Sequence, residues 1–131
     1  MSAGAYTILS NNPKVQERFP DKTTFFNSSA TDVLTAARNA IHKGASLISH
    51  PLSGGSIPAM NPYKSVLITE MAEPSNQLDF ISNRLIEDAL MFYKKNGRLK
   101  YKAYNEKLLD DFQTLDLDMV VSALAGMKDN V

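Results

Sequence analysis

The sequence predicts an α/β fold, with a mostly parallel sheet of about four strands sandwiched by helices and a helical C-terminal cap. Three observations predict it. Short β-prone segments alternate with helical ones over the first two-thirds of the chain, and the helical segments carry apolar residues at steps of three and four. The last third contains helical patterns alone. Right-handed crossovers between such strands would place helices on both faces of the sheet.

The first thirty residues predict two strands separated by a short helix. Residues 6–10 are β-prone, and Asn12 followed by Pro13 is typical of a helix start, where asparagine caps the first turn and proline suits its first position. A turn at residues 20–21 then leads into residues 23–27, which predict the second strand.

A helix, a strand and a long loop follow. Ser29 is typical of a helix N-cap, and the helix is expected to stop near Gly44. Residues 45–50 predict a third strand, and residues 51–64, which are rich in glycine and proline, predict an irregular loop. The apolar positions of the helix form one stripe: Val33, Leu34, Ala37, Ala40 and Ile41.

One more strand and then helices complete the chain. Residues 65–70 predict the fourth strand and residues 75–96 a long helix. Beyond it the pattern predicts two shorter helices, one around residues 108–112 and one around residues 117–124 that ends at Gly126. The predicted apolar face of the long helix consists of Leu78, Ile81, Leu85, Ala89 and Phe92.

Length and composition are those of one ordinary globular domain. The chain has 131 residues, of which 44% are hydrophobic, and its 14 basic side chains balance 14 acidic ones. Such a balance lacks the long-range positive field that grips phosphate backbones or anionic lipid, so we expect neither nucleic acid nor a membrane as partner. We predict a single domain over residues 1–131, with an α/β core at 1–97 and a helical cap at 98–131; a homo-oligomer is compatible with the sequence.

The cysteine and histidine content limits the chemistry. The chain has no cysteine and two histidines, which excludes disulfides and thiol redox chemistry and makes a transition-metal site poor in its preferred ligands. We therefore predict neither a metal nor a cofactor. Residues 1–6 show no basic segment followed by an apolar run of signal length, and no apolar stretch reaches the ~20 residues that span a bilayer. These patterns favour a cytoplasmic protein.

Polar residues stand where each predicted strand ends. In a parallel sheet those carboxyl ends share one edge, which is where ligands bind in open α/β sheets. The same residue types also end strands and cap helices in purely structural roles. The candidate ligand-binding residues at this edge, including a glycine-serine loop expected to lie over it, are Asn11, Asn12, Ser28, Ser29, His50, Ser53, Gly54, Gly55 and Glu70.

His50 is the one candidate with acid–base chemistry near neutral pH. An imidazole at the end of a strand is suited to carry a proton or to bind an anion, and Glu70 is its possible counterpart in catalysis. A structural role, in which His50 fixes the loop by bonding a backbone carbonyl, is the alternative. The chain contains no GxSxG or HExxH pattern, so hydrolase and zinc-enzyme interpretations lack support.

Four sequence words, in order, resemble a known family. They are Asn11-Asn12-Pro13, His42-Lys43-Gly44, His-Pro-Leu-Ser-Gly at residues 50–54, and Pro62-Tyr63-Lys64-Ser65. This order resembles the GrdX family, small proteins encoded beside components of glycine, sarcosine and betaine reductases. The resemblance covers most of the first 95 residues. It implies an association with that reductase system and implies no reaction and no catalytic residue.

Together these observations predict a non-catalytic accessory or small-ligand-binding protein of the glycine, sarcosine and betaine reductase system. Its ligand, anionic or amino-acid-like, or a segment of a reductase component would lie at the carboxyl edge of the sheet. One alternative is a small enzyme that uses His50 as a general acid or base. Another is a purely structural assembly protein, in which exposed Met60, Met71, Phe80 or Tyr101 would form a partner surface.

Overall fold

The computed structural model describes residues 5–52, 60–70, 75–96 and 104–129. Within these ranges the chain forms three strands and four helices. In chain order they are β1 (Tyr6–Ser10), α1 (Pro13–Arg18), β2 (Thr23–Phe25), α2 (Ala30–His42), β3 (Ser65–Thr69), α3 (Phe80–Asn96) and α4 (Glu106–Asp129). The predicted α/β class and the helical C-terminus are confirmed.

The sheet is mixed. Its strand order is β2-β1-β3, and β1 pairs with β2 in parallel and with β3 in antiparallel orientation. The prediction of a mostly parallel sheet of about four strands is therefore wrong in both number and direction. A parallel neighbour requires a crossover, usually a helix, whereas the sequence of residues 51–64 is rich in proline and glycine and carries no helical pattern. β3 consequently runs antiparallel both to residues 45–50, which precede this segment, and to β1.

Residues 45–50, predicted as a strand, form an isolated bridge instead. Leu47 pairs antiparallel with Ile68 of β3. At the next step the hydroxyl of Ser49 accepts from the Leu67 backbone N–H at 2.9 Å, so a side chain takes the place of a ladder carbonyl. Serine competes with regular backbone pairing in this way, and the segment therefore stops short of a fourth strand.

Helices cover both faces of the sheet and make three layers. α2 and α3 pack together on one face, and α1 and α4 pack together on the other. Because side chains alternate along a strand, Leu9, Val66 and Ile68 join the core under α2 and α3. Ile8 and Leu67 point the opposite way and join the smaller core under α1 and α4.

Both predicted helix starts are confirmed at the level of capping atoms. The Asn12 side-chain oxygen accepts from the Lys14 N–H at 3.0 Å, and the Ser29 hydroxyl accepts from the Asp32 N–H at 3.2 Å. Each bond satisfies one of the N–H groups that a first helical turn leaves without a partner. Capping thus fixes where the chain turns away from the ends of β1 and β2.

The predicted end of α2 near Gly44 is also confirmed. The helix ends at His42, and Gly44 has φ = 109°, in the left-handed region that glycine adopts without steric cost. The backbone N–H of Ser75 donates to the Lys43 carbonyl at 2.8 Å, and a Cβ built on Gly44 would lie 2.8 Å from the Cβ of Ser75. Glycine is therefore required here for both conformation and space.

The long helix α3 begins later than predicted, and its buried face overlaps the predicted one only in part: Ala89 is buried as predicted, and Phe92 packs partly buried against the core. Asp79 caps it, because its carboxylate accepts from both the N–H and the hydroxyl of Ser82. Ile81, on the predicted apolar face, is 75% exposed. The hydroxyl of Ser82 in turn accepts from the Leu47 N–H at 2.9 Å, which turns this polar position inward. The buried positions are Ser82, Ile86, Ala89 and Tyr93.

The last third forms one helix, and the prediction of two short helices is wrong. α4 runs without a break for 24 residues. The apolar pattern is interrupted at Asp116, which is buried although its side chain is polar, and residues 113–116 contain no helix breaker. Gly126 lies inside the helix rather than at its end, with nothing within 4 Å of the position of a Cβ.

Candidate functional site

The carboxyl ends of β1 and β2 meet the amino end of β3 at one edge of the sheet. Ser10 pairs with Phe25 on one side and with Ser65 on the other, and we call this the Ser10 edge. The carboxyl end of β3 lies at the opposite edge, where the Glu70 N–H donates to the Ala5 carbonyl at 3.0 Å. Because β3 is antiparallel, Glu70 lies at the edge opposite to Asn11, Ser28 and Ser29.

A cleft of about 330 Å³ lies at the Ser10 edge, between the starts of α1 and α2 and the segment before β3. Three of the predicted site residues, Asn11, Ser28 and Ser29, line it. We call this the strand-edge cleft. Its other lining residues are Pro13, Phe25, Asn27, Ala30, Pro62, Tyr63 and Leu109.

The remaining predicted site residues that the structure describes, Asn12, His50 and Glu70, do not line the strand-edge cleft. Asn12 is fully buried. His50 is exposed, and its Nδ1 accepts from the Leu52 N–H at 3.1 Å, so its backbone partner is an N–H and not the carbonyl expected for a structural role. Leu47 pairs antiparallel with Ile68, so the chain continues toward His50 and toward Glu70 in opposite directions. This arrangement does not form the His50–Glu70 pair of the small-enzyme hypothesis. Three predicted residues lie outside the described residues: Ser53, Gly54 and Gly55.

The side chain of Asn11 joins three segments that wall the strand-edge cleft. Its Nδ2 donates to the carbonyls of Ser28 at 2.9 Å and Pro62 at 3.0 Å, and its Oδ1 accepts from the Lys64 N–H at 2.8 Å. Both amide protons are used within the protein. Asn11 therefore shapes the cleft and has no free N–H to donate to a ligand.

The side chain of Asn12 is also used internally. Besides capping α1, it donates from Nδ2 to the Gln113 carbonyl at 2.9 Å and to Oδ2 of Asp116 at 3.0 Å. Both contacts reach α4, about a hundred residues further along the chain. Asn12 thus attaches the start of α1 to the C-terminal helix.

A buried carboxylate lies behind the strand-edge cleft. Asp116 of α4 is 3% exposed and accepts from the Ser65 N–H at 3.1 Å, from the Ser65 hydroxyl at 2.6 Å and from Asn12. The hydroxyl oxygens of Ser65 and Ser10 are 2.7 Å apart. Burial raises the pKa of Asp116, and the hydrogen bonds from Ser65 and Asn12 oppose that rise.

Lys64 is a buried cation at the same edge. A parallel fourth strand would place it away from the crevice, but the antiparallel β3 brings it to the Ser10 edge. Lys64 is 2% exposed, and its ammonium lies 5.9 Å from the centre of the Tyr93 ring. Burial lowers the pKa of Lys64 to about 8, against the attraction of Asp116.

Sequence reasoning missed Asp116 because it stands in an acidic run, which is typical of a solvated surface. A signal was present. Asp116 stands four residues before Val120, a fully buried residue of α4, so it shares that apolar stripe.

Two further contacts hold this part of α4: the Asn61 side chain donates to the Phe112 carbonyl at 3.0 Å, and Gln113 donates to the Tyr63 hydroxyl at 2.8 Å.

Two kinds of site are not found in the part of the chain that the structure describes. No three histidine, aspartate or glutamate side chains come together there in a way that could hold a metal ion. In the same ranges, no helix combines the length and the apolar character needed to cross a bilayer.

A mixed three-stranded sheet between two pairs of helices, with a cleft where two parallel strands end, defines a small three-layer α/β protein. The chain matches the family model described as GrdX-like protein over residues 7–125. It therefore belongs to the GrdX-like family, and the resemblance carried by the four sequence words is confirmed. The match extends beyond those words into α4. No curated protein and no solved structure matches the chain.

Proposed function

We propose that this protein is a non-catalytic accessory protein of the glycine, sarcosine and betaine reductase system, and that it binds a small anionic or amino-acid-like ligand in the strand-edge cleft. The observation that carries the proposal is the composition of the cleft wall. Parts of two family-like words, at residues 11–13 and 62–65, meet there with Ser28 and Ser29 from the end of the second strand.

The size and chemistry of the strand-edge cleft support a small polar ligand. About 330 Å³ holds about ten non-hydrogen atoms at roughly 30 Å³ each, at the lower end of ligand sites. Ser28 and Ser29 are exposed there, and α2, thirteen residues long, begins directly after them. The N–H groups at the start of a helix favour an anionic group such as a carboxylate.

The residues around the cleft support binding rather than catalysis. Among the described residues that line it, Tyr63 alone carries a titratable side chain, and it accepts a hydrogen bond from Gln113. General acid–base catalysis needs a group that titrates near the working pH. The whole chain also lacks cysteine, so service to the reductases would proceed by contact or by handling a ligand, not by thiol exchange.

A ligand screen with one blocking variant tests the binding part. Glycine, sarcosine, betaine, acetate and phosphate are titrated while Tm and backbone amide shifts are measured. We expect at least one probe to raise Tm by mass action and to shift the amides of Asn11, Ser28 and Tyr63. Ser28→Tyr, which places a ring in the cleft, should remove the response, whereas Asn76→Tyr, at an exposed asparagine before α3, should keep it. A flat response to every probe, or an equal response in Ser28→Tyr, would refute a preformed site.

A capture experiment tests the accessory part separately. The tagged protein is mixed, at low salt, with an extract from cells that produce the three reductases, and bound proteins are identified. We expect reductase components to be recovered with the wild type and with Asn76→Tyr. If no reductase component is recovered while a probe still binds the cleft, the association with the reductases is wrong and the binding site stands.

A further inference from the structure

A second cavity lies far from the Ser10 edge, between the end of α1 and the last turns of α4. Its volume is about 320 Å³, and we call it the α1–α4 pocket. No predicted site residue lines it. Its walls are mainly apolar: Tyr6, Phe19, Val121, Leu124, Ala125 and Met127, with Arg18 at the rim.

The pocket exists because the core on this side of the sheet is small. Among the described residues, four apolar side chains are buried under α1 and α4, namely Ile8, Val15, Leu67 and Val120. The first half of α4 is held close by the polar contacts of Asp116 and Gln113. Near the C-terminal end of α4, the apolar side chains that pack against this core stay partly exposed. They include Leu124 of α4 and Phe19, which follows α1, so an apolar wall faces solvent.

Two cations stand at this apolar wall. The Arg18 guanidinium lies 5.6 Å from the centre of the Phe19 ring, and the Lys22 ammonium lies 4.9 Å from the centre of the Tyr6 ring. Both rings line the pocket. Neither cation forms an ion pair with an acid in the described ranges. Arg18 lines the pocket itself, and Lys22 lies against a ring that lines it, so both positive charges are close to the pocket and available to an anion.

We propose that the α1–α4 pocket binds a medium-chain carboxylate, with its chain against the apolar wall and its carboxylate between Arg18 and Lys22. The pocket volume corresponds to about ten non-hydrogen atoms at roughly 30 Å³ each, which is the size of an eight-carbon acid. A guanidinium and a carboxylate form paired hydrogen bonds, and the adjacent apolar surface strengthens them by excluding water. This site is independent of the strand-edge cleft and of its proposed ligand.

A titration followed by backbone amide shifts tests the proposal, with octanoate as the probe and octanol and octylamine as matched probes of different charge. We expect octanoate to shift the amides of Phe19, Leu124 and Met127 and to bind about tenfold more tightly than octanol, with octylamine weakest. Equal affinity for octanoate and octanol would overturn the charge recognition. No binding at millimolar octanoate, or shifts confined to the strand-edge cleft, would overturn the site.

Variants locate the interaction. Arg18→Gln combined with Lys22→Gln should weaken octanoate about tenfold and leave octanol unchanged, whereas Arg84→Gln, at an exposed arginine of α3, should change neither. Ala125→Phe, which fills the pocket, should abolish binding of both probes. If Ala125→Phe fails to fold, the charge variants still decide, since both residues are exposed. Unchanged octanoate affinity in the double variant would refute the proposal.

Discussion

The two faces of the sheet are held by different interactions. Under α2 and α3, twelve apolar or aromatic side chains of the described residues are buried in one cluster. Under α1 and α4, four are buried, and the buried carboxylate of Asp116 with its hydrogen bonds to Ser65 and Asn12 stands beside them. Apolar burial is non-directional and independent of pH, whereas a buried charge is stabilised only while its partners stay in place.

Polar contacts position α4 where little apolar area is buried beneath it. Contacts from Asn12, Asn61 and Ser65 to α4 join residues 51 to 104 positions apart in the sequence. Hydrogen bonds are directional, so together these contacts restrict the rotation and height of α4 over the Ser10 edge. Apolar packing under α2 and α3 allows these helices to shift slightly, whereas the hydrogen bonds to α4 limit the positions that α4 can take.

The largest expected effect on stability comes from a cavity in the core under α2 and α3. Leu34 is fully buried in the core under α2 and α3, so Leu34→Ala should lower the free energy of unfolding by about 4 kcal/mol. Since no titratable group is involved, the loss should be the same at pH 6 and at pH 9. Urea denaturation at both values measures it. A loss that changes with pH would contradict the assignment of this face to apolar packing.

On the other face, removing the buried Asp116 carboxylate should lower the free energy of unfolding by nearly as much. Asp116→Ala leaves the Ser65 N–H and the Asn12 amide without their acceptor, at roughly 1–3 kcal/mol for each buried group, and we expect a loss of about 3 kcal/mol. Asp118→Ala, at an exposed acid two residues away, should change the free energy of unfolding by less than about 0.5 kcal/mol. Equal small effects of both substitutions in urea denaturation would show that α4 does not depend on this network.

The buried cation should make the stability depend on alkaline pH. The pKa of Lys64 is about 8 in the folded protein and 10.5 when unperturbed. Between these values the unfolded chain binds more protons, so the free energy of unfolding should rise with pH, by up to about 3 kcal/mol in total. Lys64→Met should remove this rise. Denaturation curves from pH 7 to pH 11 for both proteins give the difference, and a flat difference would mean that Lys64 is solvated in the folded state.

A pair of glycines, Gly44 after α2 and Gly126 in α4, gives the smallest expected effect and compares the backbone on the two sides of the sheet. Gly44→Ala forces a φ of 109° and a 2.8 Å approach to Ser75, so it should lower the free energy of unfolding by about 2 kcal/mol. Gly126→Ala, with open space around it in α4, should instead raise that free energy by up to about 1 kcal/mol. Thermal unfolding of both variants measures the two changes, and Gly126→Ala serves as the control for Gly44→Ala. A stabilising Gly44→Ala would show that the close approach of Ser75 can relax.

Part of the candidate site was predictable from sequence. Asn11, Ser28 and Ser29 follow two strands that do run parallel, so their shared edge followed from local pattern and chain direction. The prediction placed His50 and Glu70 at the same edge of the sheet, but their segments run antiparallel. The direction of β3 relative to the segment before it depends on pairing between distant residues, which local sequence patterns do not record. Asp116 was missed because a charge is buried only when partners distant in sequence satisfy it.

Local sequence patterns were enough to predict the capped starts of α1 and α2, the end of α2 near Gly44 and the α/β class. These depend on interactions between residues a few positions apart, which a linear pattern records directly. The tertiary structure alone decided the direction of β3, the buried face of α3 and the continuity of α4 through Asp116. Each of these depends on hydrogen bonds between distant residues, such as Ser82 with Leu47 and Ser65 with Asp116, whose free energy arises only when the chain has brought the partners together.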